Sequence, residues 1–174
     1  MKRWGILLSM CLLVLGTAMA DTFDFTYAGG LYSGSGTLQA INNGNGTFTA
    51  TSGSGVFDGF AISLIANPSA PNSSNSPSGA FYYDDLLFPT ATPVIDSGGL
   101  LFSINGLGAT ELNICSVGAG CGTTYTALLN NGGGDTGRFT LSAVPEPSTL
   151  TFLGLGLLGI TTLKRRISKP SQLL

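Results

Sequence analysis

Between Phe23 and Val144, apolar and polar residues alternate in short runs. Phe23, Phe25 and Tyr27 are separated by Asp24 and Thr26, a period of two that places three aromatic rings on one face of a strand. Residues 37–41 and 47–51 repeat the alternation on either side of Asn42-Asn43-Gly44-Asn45-Gly46. Asn-Gly steps supply the positive φ angles of a tight hairpin turn, so this pair of strands is the clearest in the chain. Further strands are expected at 56–65, 80–88, 99–104, 109–115, 123–129 and 138–144. No stretch carries an apolar stripe at helical spacing with caps. About nine short strands with glycine-rich turns predict an all-β fold, a β-sandwich or jelly-roll-like domain. Residues 67–79, NPSAPNSSNSPSG, have a composition that neither buries apolar surface nor holds regular structure, and are expected to form an exposed, inert loop.

The two ends follow other rules. Lys2 and Arg3 precede the apolar run GILLSMCLLVLG, which leads to Thr17-Ala18-Met19-Ala20 and then Asp21. A positive start, a short apolar core and small residues at Ala18 and Ala20 make residues 1–20 a signal peptide, cleaved by signal peptidase before Asp21. The run is too short to serve as a permanent span of a hydrocarbon layer about 30 Å thick. Cys11 lacks the small residue that would precede a lipoprotein cysteine.

At the other end, Pro145-Glu146-Pro147 is stiff and extended, because each proline restricts itself and its predecessor. An apolar helix is expected over about 148–163. As 16 residues it would rise about 24 Å, slightly short of a bilayer core. The basic cluster Lys164, Arg165 and Arg166 follows and would stop transfer and stay cytoplasmic. With the signal peptide removed, residues 21–144 lie outside and one transmembrane helix joins them to the inside.

These three parts in order resemble the PEP-CTERM sorting tail of bacterial exported proteins, a tail also catalogued as a C-terminal region of ice-binding proteins. The resemblance covers about the last 30 residues. It implies that an exosortase-like enzyme reads Pro145, Glu146 and Pro147 and processes the tail. It also implies membrane anchoring followed by a cell-surface or extracellular-matrix destination, with an association with exopolysaccharide. Ile167 to Leu174 trail the basic cluster, a longer ending than many such tails have. Within the tail, Gly154-Leu155-Gly156-Leu157-Leu158-Gly159 spells G-x-G-x-x-G, but no strand precedes it and no acid follows, so it is read as close helix packing in lipid and not as a nucleotide loop.

Charge sharpens the picture of the middle. The whole chain carries −2, yet residues 21–144 hold one base, Arg138, against eight acids, a net charge of −7. Such a domain repels phosphate backbones, which excludes nucleic acid as a partner. The chain has no His, which removes Ser-His-Asp and Cys-His catalysis and His-bound metals. The exported part has no Lys, which removes Schiff-base chemistry. Paired carboxylates remain, and Asp84-Asp85 is the obvious pair. As neighbours on one strand they would point to opposite faces and not converge. Asp58, Asp84, Asp85, Asp96 and Asp135 offer oxygens to calcium, but no Asp-x-Asp-x-Asp-Gly loop is present. Solvated loop acids are the preferred reading, with no metal or cofactor. Cys115 and Cys121, separated by a glycine-rich turn in an exported segment, are expected to form a disulfide worth roughly 2 kcal/mol.

The expectation is therefore a non-catalytic exported surface or matrix protein, not an enzyme. The alternative is a small secreted carbohydrate-active enzyme using paired carboxylates, for which two acids about 5–10 Å apart in a cleft would be needed.

Overall fold

Phe23, Phe25 and Tyr27 do share one buried face, and the fold closes around them. The computed structural model describes residues 21–117 and 124–145. Eleven strands follow one another: β1 (Asp21–Gly29), β2 (Ser33–Asn42), β3 (Phe48–Phe57), β4 (Phe60–Leu64), β5 (Ser74–Asn75), β6 (Tyr82–Tyr83), β7 (Leu86–Leu87), β8 (Leu100–Gly106), β9 (Ala109–Ser116), β10 (Tyr125–Leu129) and β11 (Gly134–Ala143). Among the described residues there is no helix long and apolar enough to cross a membrane. The expected signal peptide at 1–20 and the expected apolar helix at about 148–163 lie outside those residues.

The sheet is a ring. Strands pair antiparallel in the order β2-β1-β11-β10-β9-β8-β4-β3, and β3 pairs back onto β2. Eight strands thus close into a β-barrel-like sheet, with the short β7 added at the start of β3 through Phe48↔Leu87. This corrects the sandwich or jelly-roll expectation. Neighbours in the ring are neighbours in the chain, apart from the insertion between β4 and β8 and the closing pair β1–β11. Neither two separate sheets nor a Greek-key crossover is present in that ring.

Closure rests on local chemistry. The Asn43–Thr47 turn forms as its Asn-Gly steps predict, with Gly44 and Gly46 at φ of 79° and 85°. The expected strand at 56–65 is instead broken into a hairpin. Asp58 and Gly59, at φ of 48° and 83°, make a two-residue turn between the paired Phe57 and Phe60. An Asp-Gly step was readable as that turn. On β2 and β3, the runs Ser33-Gly34-Ser35-Gly36 and Ser52-Gly53-Ser54-Gly55 face each other, with Gly36 opposite Gly55. A Cβ on Gly36 would lie 2.3 Å from the Ser54 carbonyl oxygen and 2.8 Å from the Phe25 ring. The glycines leave that interior volume to aromatic rings from neighbouring strands.

The interior is aromatic and aliphatic. Phe25 stacks on Phe139 at 5.8 Å and tilts against Phe102 at 5.5 Å, while Phe23 meets Phe48 edge-on at 5.1 Å. The outward positions of β1 and β2 include Asp24, Thr26, Ser35 and Thr37, all exposed. A membrane-spanning barrel needs the reverse polarity, with an apolar band outside.

The insertion of residues 65–99 is not the inert loop expected for 67–79. Asn67 is buried. Its side-chain amide donates to the carbonyls of Asn72 and Tyr83, and its Oδ1 accepts from the Ser69 amide and the Ser74 hydroxyl. β5 and β6 pair across it. One buried asparagine satisfies four groups that a polar loop would otherwise leave to water.

Candidate sorting and processing site

Two places in the molecule carry chemistry. The first lies under the insertion, on the outer face of β8 and β9. Leu112 and Ile114 point into the barrel, so Glu111, Asn113 and Cys115 point out. The insertion covers them, and Glu111 and Asn113 are only 4% and 3% exposed. Glu111 accepts from the Ser78 amide and hydroxyl, and Asn113 donates to the Gly98 carbonyl at 3.0 Å. Burial raises the Glu111 carboxyl, but hydrogen bonds from Ser78 and Ser76 outweigh it and hold the carboxyl below its ordinary value.

Asp84 and Asp85 sit beside this face, between β6 and β7, where Asp85 takes a φ of 59° and breaks the expected strand at 80–88. They are not solvated loop acids, which corrects that reading: Asp84 is 5% exposed and Asp85 is fully buried. Asp85 accepts from the Asn67 amide at 2.8 Å and the Leu101 amide at 3.3 Å, and its own backbone bonds Gly99 and Ala50. It ties the insertion to β3 and β8 at once. Burial pushes it up to about 7 against those two donors, with the Asp84 charge adding to the rise. Burial likewise pushes Asp84 up to about 6, opposed by the Leu86 amide and reinforced by Asp96, whose carboxylate takes a hydrogen bond from the Asp84 carboxyl.

The other acids are placed differently. Asp135 caps the β1–β2 turn, accepting from the Leu31 and Tyr32 amides at 2.8 and 2.9 Å. Slight burial raises it, but the Tyr32, Leu31 and Thr136 amides hold it below its usual range. Asp58 is exposed in its hairpin turn. Among the described residues, no three His, Cys, Asp or Glu side chains come together at metal-binding spacing. Surface depressions among the described residues include two of similar volume. One, lined by Ser33, Ser35, Val56 and Asp58 among others, holds a single acid; the other, lined by Ile41, Thr49, Asn67 and Pro71 among others, holds none. The close carboxyl pair, Asp84 and Asp96, opens into neither.

Cys115 is half-buried, and burial with the nearby Asp96 charge pushes its thiol up to about 11. Cys121 lies outside the described residues, so the expected disulfide is carried forward as a prediction. Mass spectrometry of the exported protein without reductant should find the peptides bearing Cys115 and Cys121 joined, two hydrogens lighter than after reduction. Two free thiols would contradict the pairing.

The second place is the end of the barrel. β11 pairs with β1 in the register Phe25↔Leu141, Asp24↔Ser142 and Phe23↔Ala143. One further bond extends the ladder, the Val144 amide donating to the Thr22 carbonyl at 2.8 Å. Pro145 comes next, exposed and without an N–H, and so cannot donate a further ladder bond. Asp21 and Thr22, the first residues after the expected signal cleavage, open β1 at this same rim. Residues 143–166 match the PEP-CTERM protein-sorting motif. The tail is a PEP-CTERM sorting signal. No curated protein and no solved structure matches the chain.

The PEP-CTERM assignment makes this an exported protein, held at its C-terminus before an exosortase-like enzyme processes it. Of the motif residues singled out from the sequence, Pro145 is described. Glu146, Pro147, Lys164, Arg165 and Arg166 lie outside the described residues, as do Ala18 and Ala20. Sequence reasoning missed Asn67 and Glu111 as the residues that pin the insertion. Glu111 left one usable signal: it is the only acid in the apolar run 109–115, and a lone charge there calls for a buried partner.

Proposed function

We propose that the chain is a non-catalytic cell-surface or extracellular-matrix protein, whose acidic barrel is the delivered cargo and whose PEP-CTERM tail is the address. The observation that carries this reading is the sorting motif beginning where the barrel ends, at residue 143. Barrel and tail thus divide the work between folding and addressing. Pro145 and Pro147 keep the motif extended for an enzyme cleft, and Glu146 is the one charge between Arg138 and Lys164, a natural specificity handle. The surface favours a role among hydrated polymers such as exopolysaccharide: outward positions are rich in Ser and Thr, and Arg138 is the lone base of the described residues. Burial of Glu111 under the insertion, and of Asp84 and Asp85 within it, weighs against the two-carboxylate hydrolase, which needs its acids open to a substrate.

Glu146→Ala tests the reading. Export should persist while the full-length protein accumulates in the membrane fraction and the shortened form disappears from the medium. Neutralising Lys164, Arg165 and Arg166 together should weaken membrane retention of the unprocessed chain. Release and shortening of Glu146→Ala at the parental rate, followed by immunoblot, would reduce the tail to a simple anchor.

A further inference from the structure

The sorting motif has no linker. Only the Val144 amide bond to Thr22 separates the barrel ladder from Pro145, and one residue spans at most about 3.5 Å. An enzyme that grips Pro145 to Pro147 in a cleft would therefore meet the barrel rim almost at once.

The end of β11 is built to give way. Ser142, Ala143 and Val144 are exposed, and the Val144 amide to the Thr22 carbonyl is the bond that extends their hold on β1. Leu141 is the first side chain inward from the end that packs against the core, and Phe139, two residues further, is 3% exposed and stacked on Phe25. Lifting residues 142–144 off β1 thus breaks a few solvent-exposed backbone bonds and uncovers no β11 side chain of the core. Lifting Leu141 or Phe139 would pull apolar surface out of the barrel. Local opening of this kind is the cheapest available to a strand end. The family match itself starts at residue 143, inside the strand.

We infer that Ser142 to Val144, the last two residues of β11 and the one after it, are a peelable leader: they leave β1 when the processing enzyme engages the tail, and Leu141 sets where peeling stops. The leader supplies about 10 Å of chain, enough to bring the motif clear of the rim. This rests on the sorting reading above and adds a conformational step to it.

The test uses the full chain in cells that process it, with pulse-labelling to time the conversion of full-length to shortened protein. Deleting residues 142–144 should slow conversion at least about five-fold, because tail engagement would then have to extract Leu141. Replacing the three residues by Gly-Ser-Gly should restore the parental rate or exceed it, since slack and not side-chain identity is required. Inserting Gly-Ser-Gly after Val144, which leaves the barrel untouched, should speed conversion by about five-fold, the equivalent of sparing roughly one exposed hydrogen bond. An insertion variant processed at the parental rate, or a deletion variant as fast as the parent, would overturn the leader. So would a Gly-Ser-Gly replacement as slow as the deletion, which would mean the three residues are read by sequence. Glu146→Ala run alongside separates the two readings: if it blocks conversion while the insertion changes nothing, the sorting signal stands and the leader falls.

Discussion

Gly36→Val is expected to lower the thermal midpoint of the exported protein by about 10 °C or more, an overpacking loss of roughly 3 kcal/mol in a domain this size. The cause is local and steric. The first atom of the new side chain would stand 2.3 Å from the Ser54 carbonyl oxygen and 2.8 Å from Gly55 Cα, both backbone on the facing strand. Neither can move without opening the β2–β3 seam that closes the ring. The alternative is to displace Phe25, which is 1% exposed and wedged between Phe139 and Phe102. Gly55→Val should do the same from the other side, since its Cβ would lie 2.3 Å from the Ser35 carbonyl oxygen. Gly30→Ala is the control: its Cβ would meet only an Asp135 oxygen at 3.8 Å, an ordinary contact. A midpoint for Gly36→Val within a degree or two of the Gly30→Ala midpoint would mean that the seam is not closed as described.

The second large effect is on the pH dependence of stability, read as the urea midpoint from pH 3 to pH 9. Asp85 and Asp84 are raised in the folded state, so the fold binds more protons than the unfolded chain between about pH 4 and pH 7. Their contribution is complete below the unfolded carboxyl range and is lost as pH rises through about 6 and 7. A carboxyl moved from 3.8 to about 7 corresponds to about 4 kcal/mol as an upper bound, so a loss of a few kcal/mol by pH 8 is expected. Nothing cationic offsets it among the described residues. Asp96 acts on Asp84 and Tyr83 neighbours Asp85, with Glu111 beyond Tyr83 and Cys115 beyond Asp96, and Arg138 is exposed on β11. Asp135 and Glu111 act in the opposite sense. Their lowered values add stability above the unfolded carboxyl range, and it is lost as pH falls through the folded ones. Stability should therefore peak between about pH 4 and pH 5. Asp84→Asn keeps the shape and can donate to Asp96 as the protonated acid does, so it should flatten part of the alkaline limb and gain stability at pH 8. A flat profile from pH 5 to pH 8 in the parent would show that the acids are not held as the structure places them.

The sorting tail was legible because sorting signals are read by other proteins as extended sequence. Pro145-Glu146-Pro147, the apolar run and the basic cluster carry their meaning in order and composition alone. The all-β class was legible for a related reason: alternation at Phe23, Phe25 and Tyr27 is a local property of a strand with one buried face. Asn43–Thr47 declared its hairpin through backbone chemistry, and Asp58-Gly59 offered the same signal to a closer reading.

Closure of the ring was decided elsewhere. It depends on β11 finding β1, a pairing across more than a hundred residues that no local pattern encodes, and on two glycine runs meeting face to face at Gly36 and Gly55. The acids were misjudged for the same reason. Asp84 and Asp85 read as solvated loop acids, yet they are buried because residues 65–99, to which they belong, fold back over the outer face of β8 and β9. Local sequence determined which strands form and where the tail begins; tertiary structure determined which face of each strand sees water, because burial is set by what packs against a residue and not by its neighbours in the chain.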